Sequence, residues 1–151
     1  MKRIIVYCVI LAVLCVLPVE KQDVADLEPV QAVWLSKEED IVILETDTQD
    51  KGNGSDVSEA LADMKKKSLG IIYLDTAQYL LVSENAREHI ADIAPYLKGS
   101  VRICLWDGAG EVADAARYMQ SHKTGCKLKN WHLKTPLYKL PKFSEKSENN
   151  A

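Results

Sequence analysis

The sequence has a single phenylalanine, Phe143, only three histidines, His89, His122 and His132, and four cysteines with no CxxC pair among them. Without a CxxC or a histidine–cysteine cluster there is no metal-ligand spacing, so no zinc site and no other metal or cofactor is expected. Four cysteines at unrelated positions do not make a disulfide framework either. Cys8 and Cys15 fall in an apolar run, Cys104 falls in an expected strand where a buried free thiol is the ordinary reading, and Cys126 lies further on. A Cys104–Cys126 disulfide is conceivable in an exported chain. Seven glycines form no nucleotide-binding fingerprint: Gly108 and Gly110 in DGAGE lack the spacing, and Asp107 and Glu111 would repel a phosphate. No repeat at a solenoid period is visible.

Reactive centres are equally scarce. None of the histidines has a positioned partner in sequence, and no catalytic residue is assigned. Acids cluster at Glu38, Glu39 and Asp40, and again at Glu45, Asp47 and Asp50, and a pair of carboxylates is what a hydrolase would use. They fall in expected turns, where a solvated surface is the usual state of such residues.

What the chain does have is a marked amino terminus. Lys2 and Arg3 precede the run IIVYCVILAVLCVL, and Pro18 ends it. About 14 apolar residues suit the core of a signal peptide better than a membrane span, which needs roughly 20. Residues 1–18 are therefore expected as a signal peptide or membrane anchor. Cys15, in Leu-Ala-Val-Leu-Cys, is a candidate lipidation site; the alternatives are an uncleaved hydrophobic anchor and plain secretion. In each case the protein is exported, or held at the extracytoplasmic face of a cell membrane.

Residues 19–28 read as a linker and residues 29–121 as one α/β domain, long enough for a core of its own. Residues 30–35 have the period of a strand, 36–40 make a polar turn and Ile41–Thr46 alternates again, so a β-hairpin is expected. Residues 47–54 are a polar loop with Gly52 and Gly54. Asp56 with Glu59 three residues later has the form of a capping box, opening a helix with Val57, Leu61 and Met64 on one face and Lys65, Lys66 and Lys67 at its end. Strands follow at 71–74 and 79–82. Ser83 then caps a helix whose inward stripe is Ala86, Ile90, Ile93 and Leu97, Gly99 closes it, and residues 101–106 form another strand. A third helix carries Val112, Ala116 and Met119 on one side. The order β-β-α-β-β-α-β-α predicts a sheet of about five strands with three helices, a compact α/β (α+β) domain.

Residues 122–151 change character. Counted from Lys123, they hold seven of the 19 lysines and arginines but only Glu145 and Glu148 of the 22 acids, with Trp131, Tyr138 and Phe143 spaced among Pro136 and Pro141. A basic, largely flexible tail is expected, drawn to anionic headgroups or an acidic partner or simply solvated; in an exported protein nucleic acid is not an expected partner.

The run EALADMKKKSLGIIYLDTAQYLLVSENAREHIADIAPYLKGSVRICLW resembles the amino-terminal domain of the Ger(x)C spore germination proteins, the C subunits of nutrient germinant receptors. The pieces that carry the likeness are the helix ending in a basic cluster, the two strands at 71–76 and 79–84, the helix at 86–97 and the strand at 101–106. Upstream, KQDVADLEPVQAVWLSKEEDIVI resembles the family's segment after its lipidated cysteine, and residues 135–140, TPLYKL, resemble its Leu-Tyr element. Leu14 stands where a small residue normally precedes such a cysteine, and Val16-Leu17 where the family has Trp-Asp. The resemblance spans most of residues 21–140 and only the family's first domain. It implies a non-enzymatic, membrane-associated lipoprotein that assembles with the other germinant receptor subunits in spore germination, at the spore inner membrane. Two other readings stand beside it: a stand-alone exported ligand-binding protein, and a hydrolase using the acidic loop residues.

Overall fold

The structure is a computed structural model that describes residues 27–143. The expected signal or anchor segment with Cys15, nearly all of the linker and the last residues of the chain lie outside the described residues.

The expected hairpin is present. Strand β2 (Ala32–Glu38) pairs antiparallel with β3 (Ile41–Thr46) through a two-residue turn at Glu39 and Asp40, where Glu39 takes a left-handed φ of 52°. The loop expected at 47–54 instead turns back at Asp47 and forms a short edge strand, β4 (Lys51–Gly54), antiparallel to β3. Lys-Gly-Asn-Gly contains no β-forming residue. What holds it is the β3 ladder on one side and the close approach of helix α1 (Val57–Lys67) above it. A Cβ on Gly52 would lie 2.1 Å from the Ala60 carbonyl oxygen, and one on Gly54 would lie 2.4 Å from the Ala60 nitrogen.

Helix α1 begins as its sequence signals. Asp56 accepts from the Glu59 amide at 2.8 Å, while the Glu59 carboxylate accepts from the backbone N–H and hydroxyl of Ser55 at 3.0 and 2.7 Å. The Ser55 hydroxyl bond, then its amide bond, holds the Glu59 carboxyl below its ordinary pKa. Val57, Ala60, Leu61 and Met64 face the core. Asp56→Ala removes the cap and is expected to cost about 1 kcal/mol in urea unfolding, read as a lower denaturation midpoint at unchanged slope.

After α1 the chain departs from expectation. β5 (Ile71–Tyr73) does not join the main sheet; it pairs parallel with β1 (Leu27–Pro29) in a separate two-stranded ribbon. A 3₁₀ turn at Leu74–Thr76 leads to β6 (Tyr79–Val82), which is buried along its whole length at the centre of the sheet. The helix expected next is broken into 3₁₀ turns at Glu84–His89 and Ala94–Tyr96 around one α-helical turn, α2 (Ile90–Ile93). Ser83 makes no side-chain cap, and Pro95 supplies no N–H to continue the α-helical ladder, although Ala94 before it keeps right-handed helical angles. Ala86, Ile90, Ile93 and Leu97 are nevertheless all buried, as their spacing implied.

β7 (Arg102–Leu105) and α3 (Val112–His122) follow, the latter burying Val112, Ala115, Ala116 and Met119. The chain beyond His122, expected as a flexible tail, docks as far as Phe143. β8 (Cys126–Lys127) pairs antiparallel with β7, Leu128 and Leu140 are buried, and Leu105 and Leu140 exchange backbone bonds with residues across the gap. Alternating basic and apolar residues at 126–140 hid this, because the strand partner they need lies more than 20 residues away.

The main sheet is thus six-stranded and mixed, in the order β4-β3-β2-β6-β7-β8, with β2, β6 and β7 parallel. Alternation sends Val33, Leu35, Val42, Leu44, Leu80, Val82 and Ile103 to one face, covered by α1 and the segment around α2. Ala32, Tyr79, Leu81 and Cys104 go to the other, covered by α3 with Trp106 and Leu140. Helices on both faces of a mixed sheet make this an α/β fold.

Candidate functional site

The three parallel strands β2, β6 and β7 end on the same side of the sheet, the side on which open α/β sheets hold their ligands. There a cleft of about 230 Å³ is lined by Ser83, Glu84, Asn85, Leu105, Trp106, Asp107 and Lys139. Ser83 and Trp106 are placed by the carboxyl ends of β6 and β7, and Lys139 by the bridge of the docked segment to Leu105. Glu84 pairs with Arg87 at 3.2 Å, and Asp107 accepts from the Ala109 amide at 3.2 Å with the Lys142 ammonium 3.8 Å away. Of the aromatic residues only Trp106 lines the cleft, and Trp34 packs edge-on against it with ring centroids 5.2 Å apart. Gly108, at a φ of 81°, lies against the Trp34 ring so closely that a Cβ would stand 2.6 Å from Cζ2.

The cleft is below the usual 300–1,000 Å³ of small-molecule sites. The Ser83 hydroxyl and Trp106 indole nitrogen that border it are buried without hydrogen-bond partners. Chemically, a lysine, two carboxylates and an amide could hold a small polar molecule, while the Ser83 hydroxyl makes no hydrogen bond to a base among the described residues.

The acids singled out in the sequence are not gathered. Glu38, Glu39 and Asp40 are exposed around the hairpin turn, and Glu45 lies 3.9 Å from Lys51. Asp47 caps the amides of Gln31 and Ala32 at 3.0 and 3.1 Å, while Asp50 accepts from the Thr48 hydroxyl at 2.8 Å. Their carboxylates thus order the β3–β4 connection. His89 contacts Asp92 at 2.9 Å, His122 stacks on Tyr118, and His132 lies in the docked segment, where its amide donates to Thr135 Oγ1. Among the described residues no group of three or more histidines, cysteines or acids could hold a metal ion.

Cys104 and Cys126 are both free, and the register argues against the disulfide. Cys126 stands opposite Ile103, so its side chain leaves the sheet on the Ile103 face while Cys104 leaves on the α3 face. Burial pushes the Cys104 thiol up to about 11, against a smaller opposing effect of its contact with Thr124. A thiol reagent at neutral pH is therefore expected to modify Cys126 rapidly and Cys104 only on unfolding, as tryptic peptide mass analysis after timed labelling would show.

A second surface was not foreseen. On β5, Ile72 and the following Leu74 point into the core, while Leu69, Ile71 and Tyr73 alternate outward; Leu69 is fully exposed and the other two about 40% exposed. Lys65, Lys66 and Lys67 are exposed just before them, Lys67 within 2.5 Å of Asp63. In a continuous apolar run such as LGIIYL, periodicity does not tell which alternate positions are covered.

No protein-family model, no curated protein and no solved structure matches this chain. No helix among the described residues is long and apolar enough to cross a membrane.

Proposed function

We propose that the chain is a non-enzymatic component held at the extracytoplasmic face of a membrane and acting by protein–protein assembly, as its resemblance to the first domain of germinant receptor C subunits implies. The observation that supports this reading is the pairing of β1 with β5. The last two residues of the expected linker, Leu27 and Glu28, are built into the domain as part of β1, next to an uncovered apolar row, so a membrane segment upstream would hold that side of the domain close to the bilayer. Partner subunits in spore germination would then meet the remaining surface through non-covalent contacts.

The test is the intact mass of the protein isolated from membranes of its own cells, followed by identification of chains cross-linked to it. A chain beginning at Cys15 with a diacylglyceryl group, or an unprocessed anchor, cross-linked to membrane-spanning receptor subunits is the expected result. A soluble product cut after Pro18 overturns the reading. The cleft at the ends of β6 and β7 favours a second reading, an exported protein binding a small polar ligand, for which thermal stabilisation by such a ligand, lost in Asp107→Asn, would be the sign.

A further inference from the structure

We propose that the outer face of β5 is a bilayer-contacting surface, with Leu69, Ile71 and Tyr73 seated in the interfacial layer of an anionic membrane and Lys65, Lys66 and Lys67 against its headgroups. The inference rests on the tethered reading above and adds which side of the domain faces lipid. Its first support is direction. β1 and β5 run parallel with Leu27 opposite Ile71, so the chain enters β1 at the end where Leu69, Gly70 and the lysines at the close of α1 lie. The point where the chain enters β1, the apolar row and the basic cluster therefore lie at one end of the domain.

The second support is reach. Nine residues, 18–26, separate the apolar run of the sequence from β1, and fully extended they span no more than about 30 Å. A domain on so short a tether keeps this end near the bilayer at high effective concentration, so weak surface contacts are enough to orient it.

The third is chemistry. Leucine and isoleucine favour the acyl boundary, and a half-exposed tyrosine has the apolar ring and polar tip suited to the headgroup level. Lys65 and Lys66 make no ion pair with the described residues, whereas Lys67 is shared with Asp63. Of the other carboxylates nearby, Glu59 lies at the opposite end of α1, Glu28 on β1 stands opposite Ile72, and Asp75 lies beyond Tyr73 at the far end of the row. The tether itself carries Glu20, Asp23 and Asp26 against Lys21, so the charge complementary to anionic headgroups is that of Lys65 and Lys66 at the close of α1.

The test uses the full chain in vesicles whose lipids carry bromine high on the acyl chains, with Leu69→Trp as reporter and the wild-type chain, with Trp34, Trp106 and Trp131, as background. Flotation with the vesicles reports the tether; quenching of the added tryptophan reports the surface. The expected result is flotation with quenching that is stronger in anionic than in zwitterionic vesicles, and an engagement constant that falls about fivefold for each lysine of the cluster changed to glutamine. Flotation without quenching above background leaves the tether standing and overturns the surface. Quenching indifferent to lipid charge and to the lysine changes overturns the role of the cluster. An unquenched reporter that shifts to the blue as protein concentration rises assigns the row to a second copy of the chain and overturns the proposal, and failure to float overturns the tether and the proposal together.

Discussion

Gly52→Ala is expected to lower the thermal midpoint of the domain by about 12 °C, from a loss of about 3 kcal/mol. The added Cβ would fall 2.1 Å from the Ala60 carbonyl oxygen and 2.6 Å from the Met64 nitrogen and Cβ. These are backbone or near-backbone atoms of α1, so no rotamer change relieves the clash. Either β4 leaves the β3 ladder or α1 lifts, drawing Val57, Ala60, Leu61 and Met64 away from the core they fill. Gly99→Ala is the control: its Cβ would meet only the Lys129 Cβ, at 3.3 Å, and a change within about 1 kcal/mol is expected. Calorimetry of the two variants checks the pair. Equal melting of Gly52→Ala and the parent would mean that α1 does not lie on β4 at this distance.

Ending the chain after His122 is expected to abolish a cooperative urea transition, whereas ending it after Phe143 preserves one. The docked segment supplies buried Leu128 and Leu140, and deleting a buried leucine side chain costs about 2–5 kcal/mol each. It also satisfies the Val101 and Gly99 carbonyls through the amides of Leu128 and Lys129, at 2.7 and 3.0 Å. Its bonds at Leu105, an amide given to Tyr138 and a carbonyl taken by Leu140, are both 2.8 Å. Against a typical total stability of about 5–15 kcal/mol, the loss is a large fraction of the whole. An unchanged denaturation midpoint for the chain ending at His122 would instead restore the shorter domain expected from the sequence.

Much of the local structure was legible in the residues. The hairpin around Glu39 and Asp40, the cap at Asp56 and the buried faces of α1, the α2 segment and α3 all follow from period and capping chemistry. The broken geometry around α2 was half legible: Pro95 was visible, but its missing N–H had to be weighed against a stripe that reads as helical throughout. The β4 strand was not legible, because Lys-Gly-Asn-Gly carries the marks of a loop and becomes a strand only when α1 settles on its glycines.

Sites followed the same division. The sequence placed the acids of 38–50 in turns, and the structure gives Asp47 and Asp50 a part in holding one of them. It gave no sign of the cleft beneath Lys139, whose lining residues come from three separate parts of the chain. Cys104 and Cys126 looked able to pair, and only the register, with Cys126 opposite Ile103, sends them to opposite faces.

By itself the sequence determined the inward faces of the helical segments and where α1 begins, since those depend on side-chain period and on hydrogen bonds spanning three or four residues. The tertiary structure alone decided which strands are neighbours: β5 beside β1, β6 between β2 and β7, and β8 closing the edge. Strand pairing joins backbone groups that are alike in every residue, so the choice of partner is made by how the whole core packs.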